Sequence, residues 1–269
     1  VFDLEFNSSE YIHLITEIER RAYADRATHL GDEDFWQVPS EMLLSEKYAN
    51  ERVQNISIDK STASDDIKAG ISPFSVSEET THYSVIDKYG NAVSVTTTIN
   101  SGYGSGITVT GAGFILNNEM DDFSSKPGVP NMFGLIGNEA NAIEAYKRPL
   151  SSMTPTLVIK DDKPFLILGT PGGSTIITTV LQNILNVVVH KMNIKEAVDA
   201  PRFHSQWLPD QIDYEKNSLS KRTANKLKLL GHKLYQRGYI GEANGIMIDN
   251  GMYIAVSYTH LTLPTSDLV

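Results

Sequence analysis

Cysteine is absent from this chain, and so is any excess of positive charge. Without thiols there is no disulfide, no thiolate-held metal and no cysteine nucleophile, although the absence does not assign a compartment. The 23 Lys and Arg are outnumbered by 33 Asp and Glu, for a formal net charge of -10. They are scattered among the carboxylates and form no stripe that could neutralise phosphates, so nucleic acid is not an expected partner. Long apolar runs are missing too. The longest candidate, Ile176 to Val189, is broken by Thr178, Thr179, Gln182, Asn183 and Asn186, and falls short of the roughly 18 residues needed to cross a bilayer. No His-x-x-x-His pair occurs, so neither a catalytic metal nor a cofactor is expected. No Gly-x-Ser-x-Gly elbow supports a Ser-His-Asp triad. What is present, 41% hydrophobic and 21% charged residues in a chain of 269, suffices for one large domain or two small ones.

Periodicity divides the chain. Ile12, Ile15, Ile18, Ala22 and Tyr23 recur at helical spacing between Ser9 and about His29, and one or two short helices are expected in "VPSEMLLSEKYANERV". The stretch from Ser57 to Glu79 is polar, rich in Ser, Asp and Gly, and reads as a linker. At Thr80 the period changes to two. Hairpins are expected around "KYGN", around Asp161 and Asp162, and around Asn250 and Gly251, with helices over Ser174–His190 and Ser220–Leu230. This order predicts an α+β fold with mostly antiparallel sheets.

Three stretches carry chemistry. In "GTPGGSTIITTVLQNIL", a strand runs through Gly172 and Gly173 into a helix that Ser174 can cap, where backbone N–H groups gather at the positive end of the dipole. Such a place suits an oxyanion, and equally an ordinary glycine turn. In "GFILNNEMDDFSS", Asn117, Asn118, Glu119, Asp121 and Asp122 follow an apolar triplet; they could hold an ammonium or form a solvated turn, and their spacing does not match a calcium loop. In "KRPLSSMTPT", Ser151 and Ser152 could present hydroxyls and N–H groups to a carboxylate, or form a plain serine turn.

Together and in this order, "ADRATHLGDEDF", "VPSEMLLSEKYA", "TTHYSVIDKYGNAVSVTTTIN", "GAGFILNNEMDDFSSKPGVPN", "KRPLSSMTPT", "GTPGGS" and "APRFHSQWLPD" resemble the γ-glutamyltransferase family. These are N-terminal nucleophile hydrolases, αββα sandwiches made as one precursor that cuts itself into a large and a small subunit. The resemblance implies cleavage between Glu79 and Thr80, with residues 1–79 ending the large subunit and 80–255 forming the small, catalytic one. It makes Thr80 the nucleophile and Thr98 its support, and makes Gly172 and Gly173 the oxyanion donors. Asn100, Glu119 and Asp122 would hold the donor α-ammonium, and Ser151 and Ser152 its α-carboxylate. The implied partners are a γ-glutamyl donor such as glutathione, a water, amino-acid or peptide acceptor, and the other subunit of the same precursor. Periplasmic or extracellular location is implied likewise. A related acylase, a poly-γ-glutamate hydrolase or an inactive binding module are the competing readings.

Two departures stand out. Phe133 occupies a position where the family usually has a tyrosine in a loop over the pocket, which implies a looser cover. An upstream arginine of the large subunit is not in this chain, and "VSYTHLTLPTSDLV" resembles a translated sequencing adapter, so residues 256–269 are suspected to be non-native. Val1 is no initiator methionine, and the expectation is a fragment that is not competent alone.

Overall fold

The computed structural model describes residues 1, 3–67, 80–216 and 218–258. Helix α1 (Ser9–His29) starts at Ser8, whose side chain accepts from the Tyr11 amide, and ends with Arg26 and His29 where the dipole is negative. Its buried face is broader than the expected stripe. Ile12, Ile15 and Tyr23 are buried, but Ala22 is exposed and Ile18 half-buried, while Glu17, Glu19, Arg20 and Arg21 lie inside. Glu17, Arg20 and Arg21 are tolerated because they pair with one another, whereas Glu19 accepts only from the Ser205 amide and burial pushes its carboxyl up toward the neutral form. Glu17 bridges Arg20 at 2.9 Å and Arg21 at 2.7 Å, and accepts from the amide and hydroxyl of Thr62. Helices α2 (Ser40–Leu43) and α3 (Glu46–Val53) follow, the latter capped by Ser45. Most of the expected linker and Glu79 itself fall in 68–79, outside the described residues.

Strands β1 (Thr81–Ile86) and β2 (Ala92–Thr97) form the first hairpin, with Thr81 opposite Thr97 and Ile86 opposite Ala92. Strands β3 (Thr156–Lys160) and β4 (Lys163–Gly169) form the second. Its turn residues Asp161 and Asp162 both have left-handed φ, 51° and 59°, as a type I′ turn requires. Helix α4 (Ile176–Val188) is followed by α5 (Ile194–Asp199), which a reciprocal Asn193–Glu196 capping box starts. Then come β5 (Phe203–His204), β6 (Ile212–Glu215), α6 (Lys221–Leu229) with Ser220 as its cap, and β7 (Leu234–Arg237). Strands β8 (Asn244–Asp249) and β9 (Met252–Ser257) close the third expected hairpin at Asn250 and Gly251. The α+β class holds, and among the strands of the described residues the β6–β7 pair departs from antiparallel pairing. Helix α5 and the sheet β5-β6-β7 escaped the sequence reading because elements of two to six residues are too short to display a period.

Helices α4 and α5 cover one face of the four-stranded sheet β3-β4-β8-β9, where Leu166 and Leu168 meet Ile176, Val180, Ile194 and Val198. The β1–β2 hairpin lies across the opposite face. Ser94 Oγ donates to the Leu168 carbonyl at 3.0 Å, and Asn244 Nδ2 to the His82 carbonyl at 3.3 Å. His82 is buried against Gly169, where any side chain would overlap the imidazole ring. The boundary expected at 255 falls inside β9, which pairs through Ser257. Tyr258 is also buried, with its ring 4.1 Å from the Arg202 guanidinium. Residues 259–269 lie outside the described residues.

The seating of the hairpin gives a stability prediction. Gly169→Ala should lower the unfolding free energy of the full-length protein by about 1–3 kcal/mol through overpacking against His82. Gly238→Ala, where a methyl meets nothing within 4 Å, should stay within about 0.5 kcal/mol. Denaturant midpoints of the two variants check the difference.

Candidate active site

The register of the first hairpin, carried one residue beyond β1, sets Thr80 opposite Thr98. Thr80 Oγ1 donates to Thr98 Oγ1 at 3.3 Å, and Thr98 Oγ1 in turn accepts from the Asn100 amide at 2.9 Å. Asn100 takes a left-handed φ of 76°, which turns the chain away from the strand direction and buries its side chain, whose Nδ2 donates to the Asn118 carbonyl. Thr80, Thr98 and Asn100 line a cleft together with Asp122, Ser151, Ser152, Gly173 and Phe133. Seven of the nine residues that the sequence singled out therefore line one cleft, drawn from four separate stretches of chain. The other two adjoin it: Glu119 hydrogen-bonds Asp122, and Gly172 precedes Gly173.

The acidic pair sits on a single 3₁₀ turn, Glu119–Asp122. Burial and the neighbouring Glu119 push the Asp122 carboxyl up to about 7, with the Arg26 guanidinium opposing the shift; burial raises Glu119 as well. Both carboxyls are thus held toward the neutral form, and a bound cation would favour their ionised form.

Gly172 and Gly173 have φ of 136° and 51°, values that a side chain disfavours. Ser174 does not cap the helix as expected. Residues Gly173–Thr175 form a 3₁₀ turn ahead of α4, and the Thr175 hydroxyl donates back to the Gly172 carbonyl at 2.8 Å. The extra turn brings the glycine pair to the cleft wall instead of burying it under the first turn of the α-helix.

One polar group of the site went unread. Arg26, near the end of α1, donates from Nη2 to Ser152 Oγ at 3.0 Å and to the Ser151 carbonyl at 3.4 Å. A signal was there: Arg26 falls three residues after Tyr23 on the apolar stripe of α1, an odd place for a guanidinium without a partner. The same loop is gripped again at Arg148, whose backbone N–H and Nε donate to Asp32 Oδ2 at 2.8 and 3.0 Å.

His13, Glu17 and His232 also meet in the interior, with ligand-type atoms within 4.8 Å of one another. Sequence spacing concealed this, because His13 and His232 are 219 residues apart. Each atom is already engaged. The Ser57 carbonyl accepts from His13 Nε2–H at 2.8 Å, so His13 Nδ1 must accept from His232 Nε2–H at 2.7 Å. The Glu17 oxygens take two bonds each from Arg20, Arg21 and Thr62. The cluster is a saturated packing network.

A profile of the Gamma-glutamyltranspeptidase family matches residues 2–260. A glutathione hydrolase proenzyme of Escherichia coli is 47% identical over 251 residues, covering 92% of this chain and 43% of that protein. The chain thus spans less than half the length of this curated relative. An acivicin-inhibited gamma-glutamyltranspeptidase, whose C-terminus is described as critical in autoprocessing and catalysis, superposes with a TM-score of 0.66 at 53% identity. That match covers 68% of this chain and 99% of the other. A Helicobacter pylori gamma-glutamyltranspeptidase variant gives 0.63 at 55% identity, covering 66% and 96%. With the Thr80 hairpin, the acidic turn, the serine loop and Gly173 around one cleft, and a family match over nearly its whole length, this chain belongs to the gamma-glutamyltranspeptidase family.

Proposed function

We propose that this chain carries the nucleophile and much of the donor site of an enzyme that moves a γ-glutamyl group from glutathione-like donors to water, an amino acid or a peptide. The observation that carries this reading is Thr80 Oγ1 beside Thr98 Oγ1 in the same cleft as Asp122, Ser151, Ser152 and Gly173.

In the first step the Thr80 hydroxyl attacks the Glu79 carbonyl carbon. The peptide C–N bond breaks, the Thr80 nitrogen takes a proton, and the resulting ester is hydrolysed by water. The product is a threonine with a free α-amine of pKa roughly 7.7–8.0, close enough to neutral to act as base toward its own hydroxyl. An intact chain has no such amine, so cleavage is activation. In turnover, Thr80 Oγ1 adds to the γ-carbonyl carbon of the donor. Thr98 orients the hydroxyl, the Gly172 and Gly173 amides receive the oxyanion, and collapse expels the donor amine with a proton. Water or an acceptor amine then attacks the γ-glutamyl ester and restores Thr80.

The ends of the donor set its place. Arg26 donates to Ser152 Oγ, leaving that hydroxyl proton free to point at the α-carboxylate, while Asn100, Glu119 and Asp122 take the α-ammonium. An acylase whose substrate lacks an α-amine has no use for Asp122, which favours the glutamyl donor. By the same family reading, the enzyme acts outside the cytoplasm and completes its site with the rest of the large subunit.

Two outcomes are expected. Mass spectrometry of the full-length precursor should find a break between Glu79 and Thr80, with Thr80→Ala remaining one uncut and inactive chain; an active Thr80→Ala protein would end the proposal. The second concerns pH. Asp122 accepts from an ammonium only when ionised, and its carboxyl is raised to about 7, so the donor KM should fall as pH rises through that value. Asp122→Asn should raise KM by about 10- to 100-fold, the equivalent of one charge-assisted hydrogen bond, and flatten the profile.

A further inference from the structure

Phe133 roofs the glycine pair. It is 6% exposed, and a methyl group added at Gly173 would lie 2.7 Å from its Cδ1. Its turn is braced from within by Asn131, whose Oδ1 accepts from the Phe133 and Leu135 amides at 2.9 and 3.1 Å. From the acidic loop, Asp121 Oδ2 accepts from the Met132 amide at 2.8 Å. The third brace comes from a different part of the fold: Gln206 Nε2 donates to the Phe133 carbonyl at 3.1 Å.

That last bond orients the groups behind it. A carbonyl only accepts, so the Gln206 amide presents nitrogen to Phe133 and oxygen to His204. His204 Nε2 stands 3.0 Å from that oxygen and donates to it; Nδ1 lies 2.8 Å from the Thr178 hydroxyl, which is shared with the Thr175 carbonyl at 3.1 Å. Burial keeps the ring neutral by lowering His204 to about 4, and Tyr23 packs edge-on against it. Thr178 belongs to α4, the helix that Gly172 and Gly173 lead into. The chain Thr178–His204–Gln206–Phe133 therefore closes a loop from the floor of the cleft to its roof.

We propose that Gln206, oriented by His204, is a positioning residue that fixes Phe133 over Gly173 and so sets the height of the cleft that holds the γ-glutamyl group. It touches no reacting atom. In this arrangement the roof is held by its backbone carbonyl, independently of any hydroxyl on the ring, which bears on the looser cover that phenylalanine implied. The inference rests on the acyl-transfer reading for its kinetic consequence and on geometry alone for its structural one.

The test uses the full-length cleaved protein and two variants. Gln206→Leu removes the donor, and hydrogen exchange at the 131–135 amides should accelerate at least about threefold to tenfold, in line with one lost hydrogen bond. Gln206→Glu places a carboxylate against the Phe133 carbonyl at neutral pH but regains a donor when protonated. The variant-to-wild-type ratio of donor KM should therefore be about threefold to tenfold at pH about 8 and shrink only as the pH falls toward roughly 4.3, where a glutamate regains its proton, with kcat less affected. A purely packing role moves neither the exchange of that turn nor the pH dependence of the ratio. Unchanged exchange in Gln206→Leu, or a pH-independent ratio in Gln206→Glu, would overturn the assignment. Faster exchange in Gln206→Leu alongside a wild-type protein that releases no γ-glutamate would retain the brace and remove the acyl-transfer reading instead.

Discussion

Everything in the site depends on how one two-stranded hairpin is registered and seated. The backbone ladder pairs Thr81 with Thr97, which puts Thr80 and Thr98 face to face, and a slip of one residue would turn either hydroxyl to the opposite side of the strand. Register alone does not aim the Thr80 hydroxyl at anything. The hairpin must also lie flat on β4, and the absence of a side chain at Gly169 allows this by admitting the buried His82 ring. Because β4 runs directly into Gly172 and Gly173, the element that seats the hairpin also delivers the glycine pair to the same cleft.

The charges around that cleft come from both sides of Thr80 in the sequence. Arg26 and Asp32 precede it, while Ser151, Ser152 and Arg148 follow it, and the hydrogen bonds between them tie the serine loop to α1 and the segment after it. On the facing side, Asp122 and Glu119 crowd two carboxyls together with only Arg26 to offset them. A ligand with an ammonium at one point and a carboxylate a short distance away would relieve both imbalances. Proteins place such unpaired polarity at functional sites because structure alone gains nothing from it.

Away from the cleft, two buried polar clusters are tightly paired. Glu17 satisfies two guanidiniums and a threonine, and the His13–His232 contact ends on a carbonyl that leaves no tautomer free. The contrast separates packing networks from chemistry in a chain whose buried charges are numerous. Elsewhere the apolar face is left open on the outer side of the hairpin, where Tyr83, Val85 and Val93 are about half exposed.

Local chemistry wrote much of this fold legibly into the chain: the Asp161–Asp162 and Asn250–Gly251 turns, the Ser8 and Ser220 caps, and the change from helical to strand period at Thr80 each depend on a few adjacent residues. Helix α5 and the β5-β6-β7 sheet were illegible, being short segments stabilised by neighbours distant in sequence. The order of motifs likewise announced the family. The sequence by itself determined which groups are available and which backbone positions bend. Only the tertiary structure decided that Arg26 donates to Ser152 and that Gln206 reaches Phe133. Those are contacts between residues that lie 126 and 73 positions apart, respectively, and proximity at long separation is set by packing, which no local pattern encodes.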